Sequence, residues 1–323
     1  MNSQLPSRDD FLTKYCISLS NYRKSGLKWN DLKDIYNDYI EKRSDYDRAA
    51  SLLADKIFSI DGVHSVKKRT KDPEHLIEKI IRKSIEYNKI YATIDTYEDV
   101  VTDIIGIRAI HLYKEDWPKI HEHMLKNMKL LNTPTAFVSK GERGKHIENY
   151  KCQECKIKEH KADYRSVHYS VVTQPFNRNL IAEIQVRTIF EEGWSEMDHD
   201  IRYPYDQNNE IYLEYLSTFN DLCRTADKMG SFLSLLKAIS SEEQHFEKIL
   251  KERDDRIDML SKKIEELEGS ELNKNEISKE ISMLKAGALV PEIMETTSKI
   301  TPIGGMLTKV ALAVVMTQFL KGR

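Results

Sequence analysis

Leu180-Ile181-Ala182-Glu183-Ile184-Gln185-Val186-Arg187 changes character at every step. Side chains of a β-strand point alternately to opposite faces. The run therefore sets Ile181, Glu183, Gln185 and Arg187 on one side and Ala182, Ile184 and Val186 on the other. Such a strand belongs to a sheet that covers an apolar core on one side. A charged face needs water, ion partners or a ligand, because burying unpaired charge is costly. On these residues alone, a ligand-binding face stands only slightly ahead of a solvated one.

Working outward, Arg165 to Thr173 reads as a second strand. Ile104-Ile105-Gly106-Ile107-Arg108-Ala109-Ile110, short and rich in β-branched residues, reads as a buried third. Helices are expected between and around them. Leu32, Ile35, Tyr36, Tyr39 and Ile40 recur at helical spacing within a stretch that ends near Ser59, before the turn at Asp61-Gly62. Asp72-Pro73-Glu74 opens another helix, with proline at the first helical position. Further helices are expected over Trp117 to Met128, Ile189 to about Ile201 and Ile211 to Ala238. Residues 140–161 are charged and aperiodic and read as a loop. Strands interleaved with helices give an α/β (α+β) fold: a mixed sheet flanked by helices.

From Phe246 the pattern changes. Phe246, Leu250, Ile257, Leu260, Ile264 and Leu267 follow steps of four and three, with Arg253 breaking the seam. This heptad predicts a coiled coil, as an antiparallel hairpin or as a seam between copies of the chain. It resumes weakly at Ile277, Ile281 and Leu284, after Gly269-Ser270. Ile303 to Leu320 is mostly apolar, but a membrane span takes ~20 apolar residues, and Lys309 in its middle would be costly in lipid. A helix that packs, binds a partner or lies on a membrane surface fits better than a span. The expected organisation is an N-terminal segment (1–24), a main domain (25–240), a coiled coil (241–285) and an apolar tail (286–323).

The 323 residues carry 50 basic and 52 acidic side chains, a formal net charge of -2, which argues against a protein that coats nucleic acid through overall charge. Met1 to Asp10 is polar, without the apolar core of a signal peptide. With Cys16, Cys152, Cys155 and Cys223 as the four cysteines, a reducing cytoplasmic setting is expected, with peripheral membrane contact through the tail as the less favoured variant.

Three clusters carry chemistry. Lys67, Arg69 and Lys71 are followed by Lys79 and Arg82, which share a helix face at i, i+3. Converging cations suit a triphosphate, although a charge run by itself is usually solvated surface. Asp103, at the edge of an apolar strand with Arg108 five residues on, is placed to hold a hard cation such as Mg²⁺, or merely to cap a turn. Glu183, Gln185 and Arg187 form the third cluster. Between the last two lies Tyr164-Arg165-Ser166-Val167-His168-Tyr169, an aromatic able to stack on a base among hydrogen-bonding neighbours. No glycine-rich phosphate loop appears.

Four pieces in this order resemble the synthetase domain of the RelA/SpoT alarmone enzymes, over roughly residues 25 to 240. They are Arg69-x-Lys71 with Lys79 and Arg82; Asp103-Ile104-Ile105-Gly106-Ile107-Arg108; Tyr164-Arg165-Ser166-Val167-His168; and Glu183-Ile184-Gln185-Val186-Arg187-Thr188 followed by Trp194 and His199. The resemblance implies a nucleotidyltransferase-like sheet. It implies transfer of pyrophosphate from ATP to the ribose 3'-hydroxyl of GDP or GTP, giving (p)ppGpp. It also implies roles. Arg69 and Arg108 would stack around adenine, and Lys71, Lys79 and Arg82 would bind ATP phosphates. Asp103 and Glu183 would hold Mg²⁺, with Glu183 also taking the 3'-hydroxyl proton. Tyr164 would stack on the acceptor guanine, His168, Gln185 and Arg187 would complete a polar floor, and Ser166 and His199 would support it from behind.

The chain departs from that pattern in three places. Asp163 stands where the family has glycine before the tyrosine, and His75 where it often has serine. The long 140–161 segment holds His146, Cys152, Cys155 and His160, a weak zinc signal. The His-Asp pattern of the family's hydrolase domain is absent, so a synthetase without product hydrolysis is expected, assembled through its coiled coil. Three other readings compete. One is a toxin that pyrophosphorylates the 3' end of tRNA, held by Lys156, Lys158, Lys161 and the 140–145 region. Another is a non-catalytic nucleotide sensor signalling through coiled coil and tail. A third makes the apolar tail a membrane-active effector and the synthetase its switch.

Overall fold

A computed structural model of the chain describes residues 4–87, 92–160, 162–176, 178–202, 209–266 and 279. By internal contacts the chain divides into two compact units, residues 1–235 and 236–323. The first contains a seven-stranded sheet.

Three helices open it: α1 (Arg8–Lys14), α2 (Leu19–Ser25) and α3 (Trp29–Phe58). The apolar spacing read in the sequence is the buried face of α3, where Leu32, Ile35, Tyr36 and Tyr39 are all but inaccessible. Phe11, Leu12 and Tyr22 of the shorter helices join the same core. β1 (Ser65–Thr70) follows, then α4 (Pro73–Glu86). Asp72 caps α4 as the sequence predicts: its Oδ1 accepts from the backbone N–H of Glu74 at 2.9 Å and of His75 at 3.1 Å.

After the short α5 (Tyr97–Val100) come β2 (Ile105–His111), a 3-10 turn (Lys114–Asp116), α6 (Trp117–Asn127), β3 (Lys129–Leu130) and β4 (Thr135–Val138). Then come α7 (Lys145–Cys152), β5 (Lys156–Glu159), β6 (Ser166–Thr173), β7 (Leu180–Thr188), α8 (Ile189–Arg202) and α9 (Glu210–Glu266). The strand order is β1-β2-β7-β6-β4-β5, with β3 beside β6. β2 runs parallel to β7 and β4 to β5; the other pairs are antiparallel. The predicted mixed sheet flanked by helices is therefore the architecture found.

β7 alternates as its sequence does. Ala182, Ile184 and Val186 are buried on the core side. Ile184 lies between Ile107 and Tyr169, and Val186 between Ala109 and Val167. On this side Trp117 Nε1 of α6 donates to the Tyr169 hydroxyl at 3.1 Å, and His121 Nδ1 stands 2.9 Å from the same oxygen.

The structure corrects two expectations and adds a strand. The basic run at Lys67, to which the sequence pattern assigns no element, is strand β1. As an edge strand it accepts charged side chains, which also discourage further pairing. Residues 140–161 are not one loop. α7 buries Ile147 and sets Tyr150 edge-on to Trp117, ring centroids 4.6 Å apart, and β5 closes the far sheet edge on β4. The helix expected over 211–238 and the start of the heptad are one continuous α9. The later heptad positions from Leu267 on, the tail 286–323 and Lys161 fall outside the described residues. Among the described residues no helix is long and apolar enough to cross a membrane.

Candidate active site

Sheet register assembles the polar side chains in rows. Arg69 lies opposite Gly106, Gly106 beside Glu183, and Glu183 beside Ser170. Two residues along, Lys67, Arg108, Gln185 and His168 form the next row. Strands return to the same face every second residue, so both rows share the face on which Arg187 lies. α8 packs against β2 and β7 and meets this face through its carboxylates. A Cβ on Gly106 would stand 3.3 Å from Arg69 Cγ and Nε; its absence lets the arginine lie flat across the strand.

Asp103 precedes β2. Its Oδ2 accepts from Lys71 Nζ at 2.9 Å and Lys79 Nζ at 2.7 Å. Burial pushes the Asp103 carboxyl up, but the two ammonium groups outweigh it and hold it at about 2. Burial draws Lys71 below the ordinary lysine range, with Asp103 opposing. Oδ1 of Asp103 is buried and has no hydrogen-bond partner among the described residues. A buried carboxylate oxygen without a donor is what a hard cation satisfies.

Glu183 is held from both sides. Its Oε1 accepts from Gln185 Nε2 at 2.7 Å and stands 3.6 Å from His168 Nδ1; Gln185 in turn accepts from Arg187. Burial takes the His168 imidazole down to about 4, against the pull of Glu183, so it is neutral at physiological pH. Its Nε2 lies 2.9 Å from the Tyr164 hydroxyl. The Arg187 guanidinium covers the Tyr164 ring at 5.4 Å.

α8 supplies two acids. Glu192 stands 3.1 Å from Arg187 Nε, 3.2 Å from Arg108 Nη1 and 3.2 Å from Lys67 Nζ. Glu196, one turn on, pairs with Arg108 and lies 3.5 Å from Lys67 Nζ. Residues 68–208 match the family model described as "Region found in RelA / SpoT proteins". The chain carries a RelA/SpoT domain.

No curated protein matches the chain. Solved structures similar to it include a GTP pyrophosphokinase family protein from Streptococcus pneumoniae, 21% identical over 64% of this chain and 96% of that one, TM-score 0.47. The small alarmone synthetase 1 from Bacillus subtilis bound to its product pppGpp is also similar, 23% identical over 58% and 92%, TM-score 0.42. So is the same protein bound to AMPCPP, 18% identical over 58% and 91%, TM-score 0.43.

Within the RelA/SpoT domain, Asp103, Lys71 and Lys79 form one ion-paired group. Glu183, Gln185, Arg187, His168 and Tyr164 form another, linked through hydrogen bonds and the Arg187–Tyr164 stack. Arg108, expected beside a base, is committed to Glu192 and Glu196. Arg82 is half exposed on α4 and bonded to Glu78 at 3.2 Å, apart from Asp103. Ser166 is buried, its Oγ donating to Val186 O at 3.3 Å, a backing role. His199, exposed on α8, is held below the ordinary histidine range by partial burial and then by Arg69. Asp163 takes φ +56°, in the left-handed region that favours glycine. Cys155 is buried, its thiol pushed up to about 11 by burial, and His146 is bonded to Glu142 at 3.0 Å. Among the described residues no group of three or more His, Cys, Asp or Glu is placed to hold a metal ion, so the Cys152/Cys155 zinc signal gains no support.

Sequence reasoning missed Glu192 and Glu196. Their i, i+4 spacing on the helix that follows Arg187 was the available signal, obscured by the general abundance of acids.

Proposed function

We propose that the domain is a magnesium-dependent (p)ppGpp synthetase, moving pyrophosphate from ATP to the ribose 3'-hydroxyl of GDP or GTP. The RelA/SpoT match supports the class. The observation that carries the reading is the juxtaposition on one sheet face of Glu183, aimed by Gln185, with Arg69 laid across Gly106 one strand away.

In this reaction the ribose 3'-oxygen attacks the β-phosphorus of ATP. A bond forms between them, the bond from the β-phosphorus to the bridging oxygen breaks, and AMP leaves with the electron pair. Glu183 accepts the hydroxyl proton, and Gln185 fixes the carboxylate rotamer for that task. His168, neutral, holds Tyr164 in place without neutralising Glu183. Lys71 and Lys79 bind the phosphates, and Tyr164, backed by Arg187, offers a stacking surface for guanine. Asp103 and Glu183 would hold Mg²⁺, which when bound supplies charge neutralisation for the transferred group. No covalent nucleophile is needed, since positioning and electrostatics carry such transfers.

The test offers γ-labelled ATP and Mg²⁺ with GDP, GTP or bulk tRNA in separate reactions. Label on a guanosine nucleotide supports the proposal. Label on tRNA alone, which the exposed Lys156 and Lys158 of β5 would then help explain, replaces it with the toxin reading. Nucleotide binding without transfer replaces it with the sensor. Glu183→Gln is expected to lower kcat by at least ~100-fold, in line with loss of a general base, while ATP still binds. Transfer that survives this change sinks the mechanism.

A further inference from the structure

Asn220 lies on α9, far in sequence from every motif of the site, and is 2% exposed. Its side chain makes two hydrogen bonds. Oδ1 accepts from Arg165 Nη2 at 2.7 Å, and Nδ2 donates to the backbone carbonyl of Asp163 at 3.1 Å. The partners settle which end of the amide is which: a guanidinium only donates and a carbonyl only accepts. The residues so gripped are the two that flank Tyr164.

The grip has support on either side. Asp163 occupies its left-handed turn, and its Oδ1 accepts from the Lys140 N–H at 3.3 Å. Arg165 is 4% exposed and lies 3.9 Å from Asp227, further along α9. α9 itself is fastened one turn earlier, where Leu216 O accepts from Trp194 Nε1 of α8 at 3.0 Å. Tyr164 is thus the middle residue of a three-residue arch whose feet are both held by one amide. The ring is then aimed by Arg187 and His168.

We propose that Asn220 is a positioning residue for the acceptor subsite: it fixes the Asp163-Tyr164-Arg165 arch from α9 and so sets where Tyr164 meets the acceptor base. This rests on the assignment of Tyr164 to the acceptor. The ATP-side groups Asp103, Lys71 and Lys79 make no contact with Asn220. Loss of the clamp acts on the acceptor and leaves ATP alone.

The test compares the full chain with Asn220→Ala and Asn220→Asp by hydrogen exchange and by steady-state kinetics. In Asn220→Ala, exchange rises over residues 162–165 and not over the core strands, and KM for GDP or GTP rises about tenfold, as expected for a buried donor and acceptor left unmatched. KM for ATP stays within about twofold. Asn220→Asp, which still accepts from Arg165 but cannot donate to Asp163, falls between. Unchanged exchange in that segment overturns the clamp whether or not the wild-type chain is active. A parallel rise in both KM values overturns it as an acceptor-specific device. A wild-type chain that transfers nothing sinks the functional reading alone, and the exchange data still decide the clamp.

Discussion

Asp163 sits at φ +56°, where the resemblance to the synthetases expects glycine. The left-handed region costs most L-residues ~1–2 kcal/mol, and aspartate is among the few that visit it, through local hydrogen bonds. Here the Asp163 carboxylate instead accepts from the Lys140 N–H, 23 residues away in sequence, which ties the turn to a distant loop. Aspartate in this place therefore adopts the backbone conformation that glycine favours. A second residue-scale feature is Asp227. Burial, then repulsion from Glu191, drives its carboxyl up to about 6, with Lys114 and Arg165 only partly opposing. A raised carboxyl pKa means the folded chain holds a proton that the unfolded chain releases near pH ~4. Stability then falls as pH rises from there through about 6, and the deficit remains above it. Asp227→Asn is expected to be more thermostable than wild type at pH 7–8, the difference closing toward pH 4. Thermal unfolding across pH measures it, and a variant that is less stable at pH 8 contradicts the charge assignment.

Among the elements, α4 joins local sequence to site. Its cap, Asp72, fixes the start of the helix that presents Lys79 to Asp103. Asp72→Ala is expected to cost ~1 kcal/mol, a fall in Tm of about 2–4 °C for a domain of this size, read by calorimetry; an unchanged Tm would remove the cap from the account. What was legible in the sequence follows the same physics. β7 and β2 announce themselves because one or both faces are buried, so hydrophobicity follows the strand period. β1 and β5 do not, because edge strands carry charges and their partners supply the order. The rows joining Arg69 to Glu183 and Arg108 to Gln185 depend on inter-strand register, which a single strand does not encode. The Asn220 contact joins residues 57 apart through packing of α9 and has no local signature. α9 shows both cases. Leu216, Asn220, Cys223 and Asp227 form its buried stripe. Counting back from Phe246 by the same three-and-four steps reaches the exposed Leu236, Phe232, Met229, Leu222, Tyr215 and Ile211, interrupted by Glu243, Thr225 and Thr218 and by the half-buried Ile239.

At the scale of the molecule, the heptad from Phe246 on underlies the expectation that copies of the chain associate. Sedimentation of the full chain and of a chain ending at Ser240 tests this. The full chain is expected to form the larger assembly, and equal stoichiometry would exclude residues 241–323 as the cause. The ion pairs across the sheet bear on how the molecule meets its ligand. Lys67, Lys71, Lys79, Arg108 and Arg187 each already hold a carboxylate. On the proposed reading, a triphosphate that enters would change places with Asp103 at Lys71 and Lys79 instead of shedding a cloud of dissolved ions from bare cations. Its affinity then depends more on the geometry of the swap than on ionic strength, and polyanions that drift past meet only a mild field.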